Sequence, residues 1–368
     1  MKIAYIGIRG VPAGYSGVER SVEEIGTRLA QKGHEITAYC MAGRYKNKED
    51  SYKGMKLKYI PTIRRKNLEM ICYAFLSSIS GALSGYDICH FHAIGPSTLS
   101  FIPKLFGKKI IVTVHGLDWQ RAKWDRFAKS YLRLGEWTSA KFADKTIVVS
   151  KALKKYYEDK YHKEVSYIPN GVDIRTSLLP RRITAYGLKG NDYLLFVGRL
   201  VPEKGCHYLI EAFKQIDTSK KLVIVGESAA TDDYVEKLKK AANKNVIFTG
   251  YKSGDELQEL YSNAYCYVQP SEIEGLPISV LEAMSYGKCA LVSDIEENLE
   301  TILAQASGKC GESFKTRDVD DLLSKIQFLL TNENLVKKYG EKARENVKLN
   351  YNWDAATNKT EQLMKKLL

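Results

Sequence analysis

Residues 271–287 read SEIEGLPISVLEAMSYG, and the chain is organised around them. Glu274 and Glu282 stand eight positions apart, with Gly-Leu-Pro between them. Proline fits the first turn of a helix, where its missing N–H costs nothing, so Pro277 predicts a helix start. Glu274 then falls in the loop before the helix and Glu282 inside it. Ile278, Val280, Leu281, Ala283 and Met284 surround Glu282, and a carboxylate in such company needs a hydrogen-bonding partner. The N–H groups of Leu276, Ile278 and Ser279 crowd the helix start, which favours an anion. Two carboxylates beside such a start suit a ligand carrying both hydroxyls and phosphates. A buried helix with one paired Glu after a Gly-Pro turn is the plainer reading of the same residues.

Outward from this stretch, strands and helices alternate. Lys2–Ile8 reads as a buried parallel strand. A Gly/Pro-rich turn, GIRGVPAGYSG, follows it. Val18, Val22, Ile25 and Leu29 then mark a helix that Gly33 closes. Glu35–Cys40, Asp87–Phe91, Lys109–Val114 and Thr146–Ser150 read as further strands. After YIPNGVD (167–173) the period is lost from Arg175 to Asn191, which predicts a linker. Alternation resumes with strands at Tyr193–Val197, Leu222–Val225, Val246–Thr249, Ala264–Val268 and Cys289–Val292. Three helical stretches, Val319–Leu330, Glu333–Asn350 and Asp354–Leu368, end the chain. The expected architecture is α/β, with two Rossmann-like parallel-sheet domains facing a cleft at the carboxyl ends of the strands. The expected domains are 1–175 and 176–350, with 351–368 as a helix packing back on the first.

Composition bounds the partners. The 368 residues are 44% hydrophobic and 27% charged, a soluble globular balance. Seven scattered cysteines without a CxxC pair point to reduced thiols in the cytoplasm. Residues 1–180 hold 30 Lys and Arg against 16 Asp and Glu, whereas residues 181–368 hold 26 against 27. A basic first half fits an anionic membrane, a phosphorylated acceptor or nucleic acid. Met70–Tyr86 has no charge but carries four serines and two glycines, too polar and too short to span a bilayer. With Arg64, Arg65 and Lys66 before it, this segment could rest on an anionic membrane surface, or pack as a core helix behind a solvated basic cap.

Several motifs remain. In FVGRLVPEKG (196–205), Arg199 follows a strand and Lys204 starts the next helix. An Arg fork and a Lys point charge at a sheet's carboxyl edge can hold two phosphates. His115 follows the strand KKIIVTV, where an imidazole can bond a sugar hydroxyl or a departing phosphate oxygen. His90 and His92 alternate on DICHFH, and no ligand spacing makes a metal site with His115. Gly7, Gly10, Gly14 and Gly17 do not form G-x-G-x-x-G, and the second strand ends in Tyr39-Cys40 without a ribose-holding acid, so a nicotinamide cofactor does not fit. Gly17 can still offer its N–H to an anion. Asp318-Val-Asp320 reads as a helix cap rather than a metal site.

The order AGYSGVER, HG, PNGVD, GRLVPEKG, VIFTGYKSGDELQELY and SEIEGLPISVLEAMSYG resembles the family-4 glycosyltransferases, retaining enzymes of the GT-B fold. VPAGYSGVER, HAIGP and HGLDWQRAKW look closer to a subgroup that includes rhamnosyltransferases of capsule and cell-wall polysaccharide assembly. The resemblance implies that Glu282 holds the ribose and Glu274 the donor-sugar hydroxyls near the reacting carbon. It gives Arg199 and Lys204 the diphosphate, Gly17 the distal phosphate, His115 the donor sugar, and the backbone at Tyr251 the nucleobase. Ser16 departs from the pattern, since many members have a second Gly there. The helix start at Leu276, Pro277 and Ile278 is expected to join the leaving-group cradle, and the expected cleft, rather than the resemblance, points to loops around Asp118–Lys123 as the acceptor contact.

The expected activity is transfer of a hexose or a deoxyhexose such as rhamnose from a nucleotide diphosphate sugar to a saccharide or lipid-linked saccharide. No metal or other cofactor and no nucleic acid is expected. The expected location is cytoplasmic, peripheral on the inner face of the plasma membrane. A nucleotide-sugar epimerase of similar fold would convert the donor alone. A basic nucleic-acid- or membrane-binding module would show salt-dependent binding but leaves Glu274, Glu282, Arg199 and Lys204 without a role.

Overall fold

The computed structural model describes residues 1–14, 16–45, 47–63, 68–228, 231–304 and 308–368. Arg64, Arg65 and Lys66, the expected basic flank, lie outside the described residues. The chain divides into two compact units, Met1–Asn170 with Trp353–Leu368, and Gly171–Asn352.

In the first unit eight strands make one sheet. They are β1 (Lys2–Ile6), β2 (Glu35–Met41), β3 (Ser51–Tyr52), β4 (Met55–Ile60), β5 (Ile88–His92), β6 (Lys109–Val114), β7 (Lys145–Val148) and β8 (Ser166–Tyr167). Their order is β3-β4-β2-β1-β5-β6-β7-β8, parallel except for β3 on β4. The helices are α1 (Gly17–Gln31), α2 (Glu69–Leu83), α3 (Ile94–Ser97), α4 (Phe101–Leu105), α5 (Arg126–Lys141) and α6 (Lys151–Tyr161). Side chains set two of their starts. Asp125 accepts from the Ala128 N–H at 2.8 Å to open α5, and Ser150 accepts from the Leu153 N–H at 3.3 Å to open α6. β4 is absent from the strands expected from the sequence; in MKLKYI lysine alternates with apolar residues. It pairs with β2, with Met55 buried and Lys58 lying 5.4 Å from the centre of the Tyr39 ring.

In the second unit the strands are β9 (Tyr193–Val197), β10 (Lys221–Val225), β11 (Val246–Gly250), β12 (Cys266–Gln269) and β13 (Cys289–Ser293). A hairpin, β14 (Leu303–Ala304) with β15 (Gly308–Lys309), precedes β16 (Gly311–Phe314). The sheet runs β11-β10-β9-β12-β13-β16, all parallel. This is a doubly wound order whose direction reverses between β9 and β12, the place where such sheets bind ligands. The helices are α7 (Cys206–Lys214), α8 (Asp232–Ala241), α9 (Gly254–Asn263), α10 (Ile278–Ser285), α11 (Glu296–Ile302), α12 (Val319–Thr331) and α13 (Glu333–Asn350). Leu194, Phe196, Leu222, Ile224, Val268 and Leu291 fill the core between sheet and helices. Asp318 caps α12 by accepting from the Asp321 N–H at 2.9 Å, as its spacing predicts.

Arg175–Asn191 is not a free linker. The buried Glu259 carboxylate on α9 accepts from the N–H groups of Arg181, Arg182 and Ile183 at 2.9, 2.6 and 3.3 Å, which folds the segment onto the second unit. The last helix, α14 (Trp353–Lys365), packs on α1 in the first unit. Arg28 bonds Asp354 at 2.8 Å, and Lys32 and His34 reach Glu361 at 2.8 and 3.0 Å.

Candidate active site

In the second unit, the chain leaving β9 at the reversal point carries Arg199, partly buried, and then a single 3-10 turn, Pro202–Lys204. Gly205 ends that turn at φ 68, a left-handed conformation that suits glycine. A side chain at this position would stand 2.0 Å from the Pro270 carbonyl oxygen, so only glycine lets the turn lie against the end of β12. The Glu272 N–H donates to the Glu203 carbonyl at 2.9 Å and completes the seam. Lys204 thereby reaches Glu274. The ammonium donates to Glu274 Oε1 at 2.5 Å, with side chains 16% and 9% exposed.

Gln269, fully buried at the end of β12, is the hub beneath this pair and went unseen in the sequence. Its Nε2 donates to Glu274 Oε1 at 2.7 Å and to Ser271 Oγ at 2.6 Å. Its Oε1 accepts from Tyr267 OH at 2.6 Å and from Ser279 Oγ at 3.3 Å. One amide thus links the loop carboxylate to the start of α10. Burial works to raise the Glu274 carboxyl, but the Lys204 ammonium and the bonds from Ser271 and Gln269 hold it below the ordinary range. The opposite holds at Glu297 in the first turn of α11, which burial, with Glu274 nearby, pushes up to about 7.

α10 begins at Ile278, so Pro277 is its N-cap rather than part of its first turn. Leu276 and Pro277 are buried. Among the described residues no acceptor meets the N–H groups of Leu276, Ile278 or Ser279, so the helix start presents unpaired donors. Glu282 has the partner its apolar surroundings demand, since Tyr261 OH donates to its Oε2 at 3.1 Å. The Tyr261 ring stacks on Tyr286 with centroids 5.8 Å apart. Tyr251 follows β11, is 39% exposed, and donates its backbone N–H to Glu227 Oε1 at 3.3 Å.

Gly17, His115 and Asp118 belong to the first unit, and the remaining expected site residues to the second. Gly17 is exposed at the start of α1. The loop before it is tied back by two buried acids of α1. Glu23 accepts from the Ala13 N–H at 2.7 Å and Glu19 from the Gly14 N–H at 3.3 Å. Burial raises the Glu19 carboxyl, with Arg9 opposing it.

His115 lies one residue beyond β6, with its Nε2 3.3 Å from His92 Nδ1. His92 stacks on His90 at 4.3 Å, and His90 Nε2 meets Thr113 Oγ1 at 2.7 Å. Burial lowers all three imidazoles. His115 falls to about 4, with Asp118 opposing, and His90 to about 3. The rings therefore act as neutral hydrogen-bonding groups near neutral pH. His90 and His92 also line a small cavity of mixed character, with Thr113 and Asn170 on its polar side and Ile25, Ile147 and Ile168 on its apolar side. Among the described residues no three His, Cys, Asp or Glu side chains gather as a metal-binding group. Asp118 pairs with Arg121 at 3.0 Å.

The whole chain superposes on sucrose-phosphate synthase of Thermosynechococcus elongatus with a TM-score of 0.85 at 22% identity, covering 98% of that chain. Residues 15–176 match the profile of Glycosyltransferase Family 4, and residues 184–346 that of Glycosyl transferases group 1. The chain is a glycosyltransferase of the GT-B type. An uncharacterised glycosyltransferase of Methanocaldococcus jannaschii is 26% identical over 348 residues, 92% of this chain and 91% of its own. UDP-Gal:α-D-GlcNAc-diphosphoundecaprenol α-1,3-galactosyltransferase of Escherichia coli is 30% identical over 238 residues, 58% of this chain and 59% of its own. The chain spans about three fifths of the length of several of the curated relatives it matches, and 32% of another. In this glycosyltransferase, the tandem profiles fall on the two structural units, and the second profile contains Arg199, Lys204, Glu274 and Glu282.

Proposed function

We propose that this glycosyltransferase moves a hexose or deoxyhexose, rhamnose in the narrower reading, from a nucleotide diphosphate sugar to a saccharide or lipid-linked saccharide, with retention of anomeric configuration, in surface polysaccharide synthesis. The Lys204–Glu274 pair at the reversal point of the second sheet, beside a helix start with unpaired N–H groups, carries this reading. As the sugar–phosphate bond breaks, negative charge grows on the diphosphate. Arg199, Lys204 and the Leu276–Ser279 N–H groups answer that charge, and no metal enters the proposal. Glu274 faces the positive charge on the sugar, and Glu282 holds the ribose. From the first unit, His115 takes the role of donor-sugar contact, Gly17 of distal-phosphate contact and Asp118 of acceptor contact. The galactosyltransferase relative supports a UDP-sugar donor and a diphosphoundecaprenol-linked acceptor by its name.

A thermal-shift panel of UDP, TDP, GDP and ADP sugars tests the donor. Stabilisation grows with ligand concentration above Kd, about 2.7 kcal/mol at 100 Kd, so one nucleotide is expected to raise Tm and its competitors not. No shift with any of them would sink the reading.

Peripheral contact with an anionic membrane at the cytoplasmic face is part of the proposal. No helix among the described residues is long and apolar enough to cross a membrane. Support for surface contact lies in α2, which turns Tyr73, Ala74, Ser77, Ser78, Gly81 and Ala82 inward and leaves Phe75, Leu76 and Leu83 exposed. On α4, which packs against α2, Phe101 and Leu105 are exposed, as is Phe106 just after it; Leu105 reaches 79%. Lys104, Lys141, Lys145 and Lys163 lie close enough that the other three oppose the charge on Lys163. An apolar ridge beside clustered cations fits anionic headgroups. The chain is expected to sediment with vesicles containing about 30% phosphatidylglycerol, and L105D/F106D to weaken this at least tenfold, as burying about 25 cal/mol per Å² of apolar surface implies. Equal sedimentation with neutral phosphatidylcholine, or no change in the variant, would remove the membrane from the proposal.

A further inference from the structure

Glu136 on α5 is fully buried, and its two oxygens serve different neighbours. Oε1 accepts from Tyr161 OH at 2.6 Å, from Lys160 Nζ at 2.7 Å and from Tyr156 OH at 3.0 Å. Oε2 accepts from the Trp119 indole N–H at 2.6 Å. The Arg133 guanidinium, also on α5, lies 4.8 Å from the centre of the Trp119 ring. Trp119 is therefore gripped at its edge and on its face by one helix.

That grip matters because of where Trp119 stands. It belongs to the 3-10 turn Asp118–Gln120, with His115 and Gly116 just upstream. Gly116 sits at φ 149, so the backbone between His115 and the turn is one that side-chain-bearing residues rarely adopt. Within the turn the bonds are local, Gln120 N–H to the Leu117 carbonyl and Asp118 to Arg121. Among the described residues, the hydrogen bonds that tie this stretch to distant side chains are those of Trp119 to Glu136 and, just upstream, of His115 to His92. A buried carboxylate that only filled space would be replaceable by an apolar side chain at little cost or with gain. Here it satisfies a loop from one oxygen and a helix from the other.

We propose that Glu136 is a positioning residue which, through the Trp119 indole N–H, fixes the Leu117–Arg121 turn and so aims His115 and Asp118. The inference deepens the proposed function, because the roles of His115 and Asp118 rest on it. The hold itself is separable from that reading.

W119F removes the N–H and keeps the ring over which Arg133 lies, leaving the other three donors of Glu136 in place. E136Q puts an amide NH2 against a donor whichever way it turns, and is the harsher change. Y161F removes one bond on the far oxygen and touches nothing in the turn. The readout is the titration of His115 in the full-length chain without ligand, followed by NMR of histidine-labelled protein. His92 and Asp118 face this ring in all variants, and His90 stacks on the far side of His92. In the wild type burial holds His115 at about 4. In W119F its midpoint is expected to rise at least one unit toward the ordinary 6.5, as water enters behind a loosened turn. E136Q should do the same, and Y161F should leave the midpoint where it is. A folded W119F whose His115 titrates as in the wild type overturns the proposal, as does an equal shift in Y161F. Should E136Q not fold, W119F decides alone. Failure of every nucleotide sugar to stabilise the wild type would end the functional reading and leave this titration to judge the hold.

Discussion

Lys204→Ala is expected to lower kcat/KM with the nucleotide sugar by about 10²–10³-fold, the usual loss of one group that stabilises charge in the transition state. Lys204 is fixed by the Gly205 turn against Pro270 and by its bond to Glu274, so it is held in place before any substrate arrives. The substitution also strips a mostly buried carboxylate of its cation. Breaking such a pair costs about 3–5 kcal/mol, so Tm should fall too. Two measurements separate these effects. Single-turnover transfer, read well below the variant's Tm, should stay slow at saturating donor. The Kd for the nucleotide diphosphate should rise as well, because Lys204 is assigned to the leaving group in both states. A folded variant with wild-type turnover would move the phosphate contact elsewhere.

Where the sequence is legible, a local rule governs. Strands buried on both faces must be apolar, so β1, β6, β9 and β13 show themselves as runs. Caps work over three residues, so Asp318 is readable from its spacing to Asp321. The apolar ring around Glu282 demands a partner, and Tyr261 supplies it. The illegible parts depend on residues far apart in the chain. Arg175–Asn191 looks like a linker because its order comes from Glu259, more than seventy positions later, through three backbone N–H groups. β4 hides behind lysines that snorkel or stack on Tyr39. Gln269 carries no local signal at all, since an amide at a strand end is unremarkable until Glu274, Ser271, Tyr267 and Ser279 converge on it. The same is true of Glu136, whose four donors come from two separate stretches of the first unit, the turn holding Trp119 and the helix α6. The Glu-x7-Glu spacing marks both acids in the sequence, but what surrounds each of them is set by neighbours in space.

Glu274→Gln is expected to divide binding from chemistry. Lys204 and Gln269 both donate to the same oxygen of Glu274, and glutamine can present a carbonyl oxygen there, so the local fold should survive. The charge does not survive. Without it Lys204 is no longer neutralised, and a diphosphate meets one fewer negative group nearby. The nucleotide diphosphate should therefore bind as tightly as before or several-fold tighter, by calorimetry. Transfer should nevertheless fall about 10²–10³-fold in kcat, because the carboxylate facing the positive charge of the oxocarbenium-like state is gone. A loss of kcat with binding kept or improved marks an interaction made in the transition state rather than in the ground state. Weakened nucleotide binding with kcat intact would mean instead that Glu274 serves the donor only before reaction. Loss of both together would show that Glu274 chiefly orders Lys204, leaving the ammonium as the group that acts on the leaving phosphate.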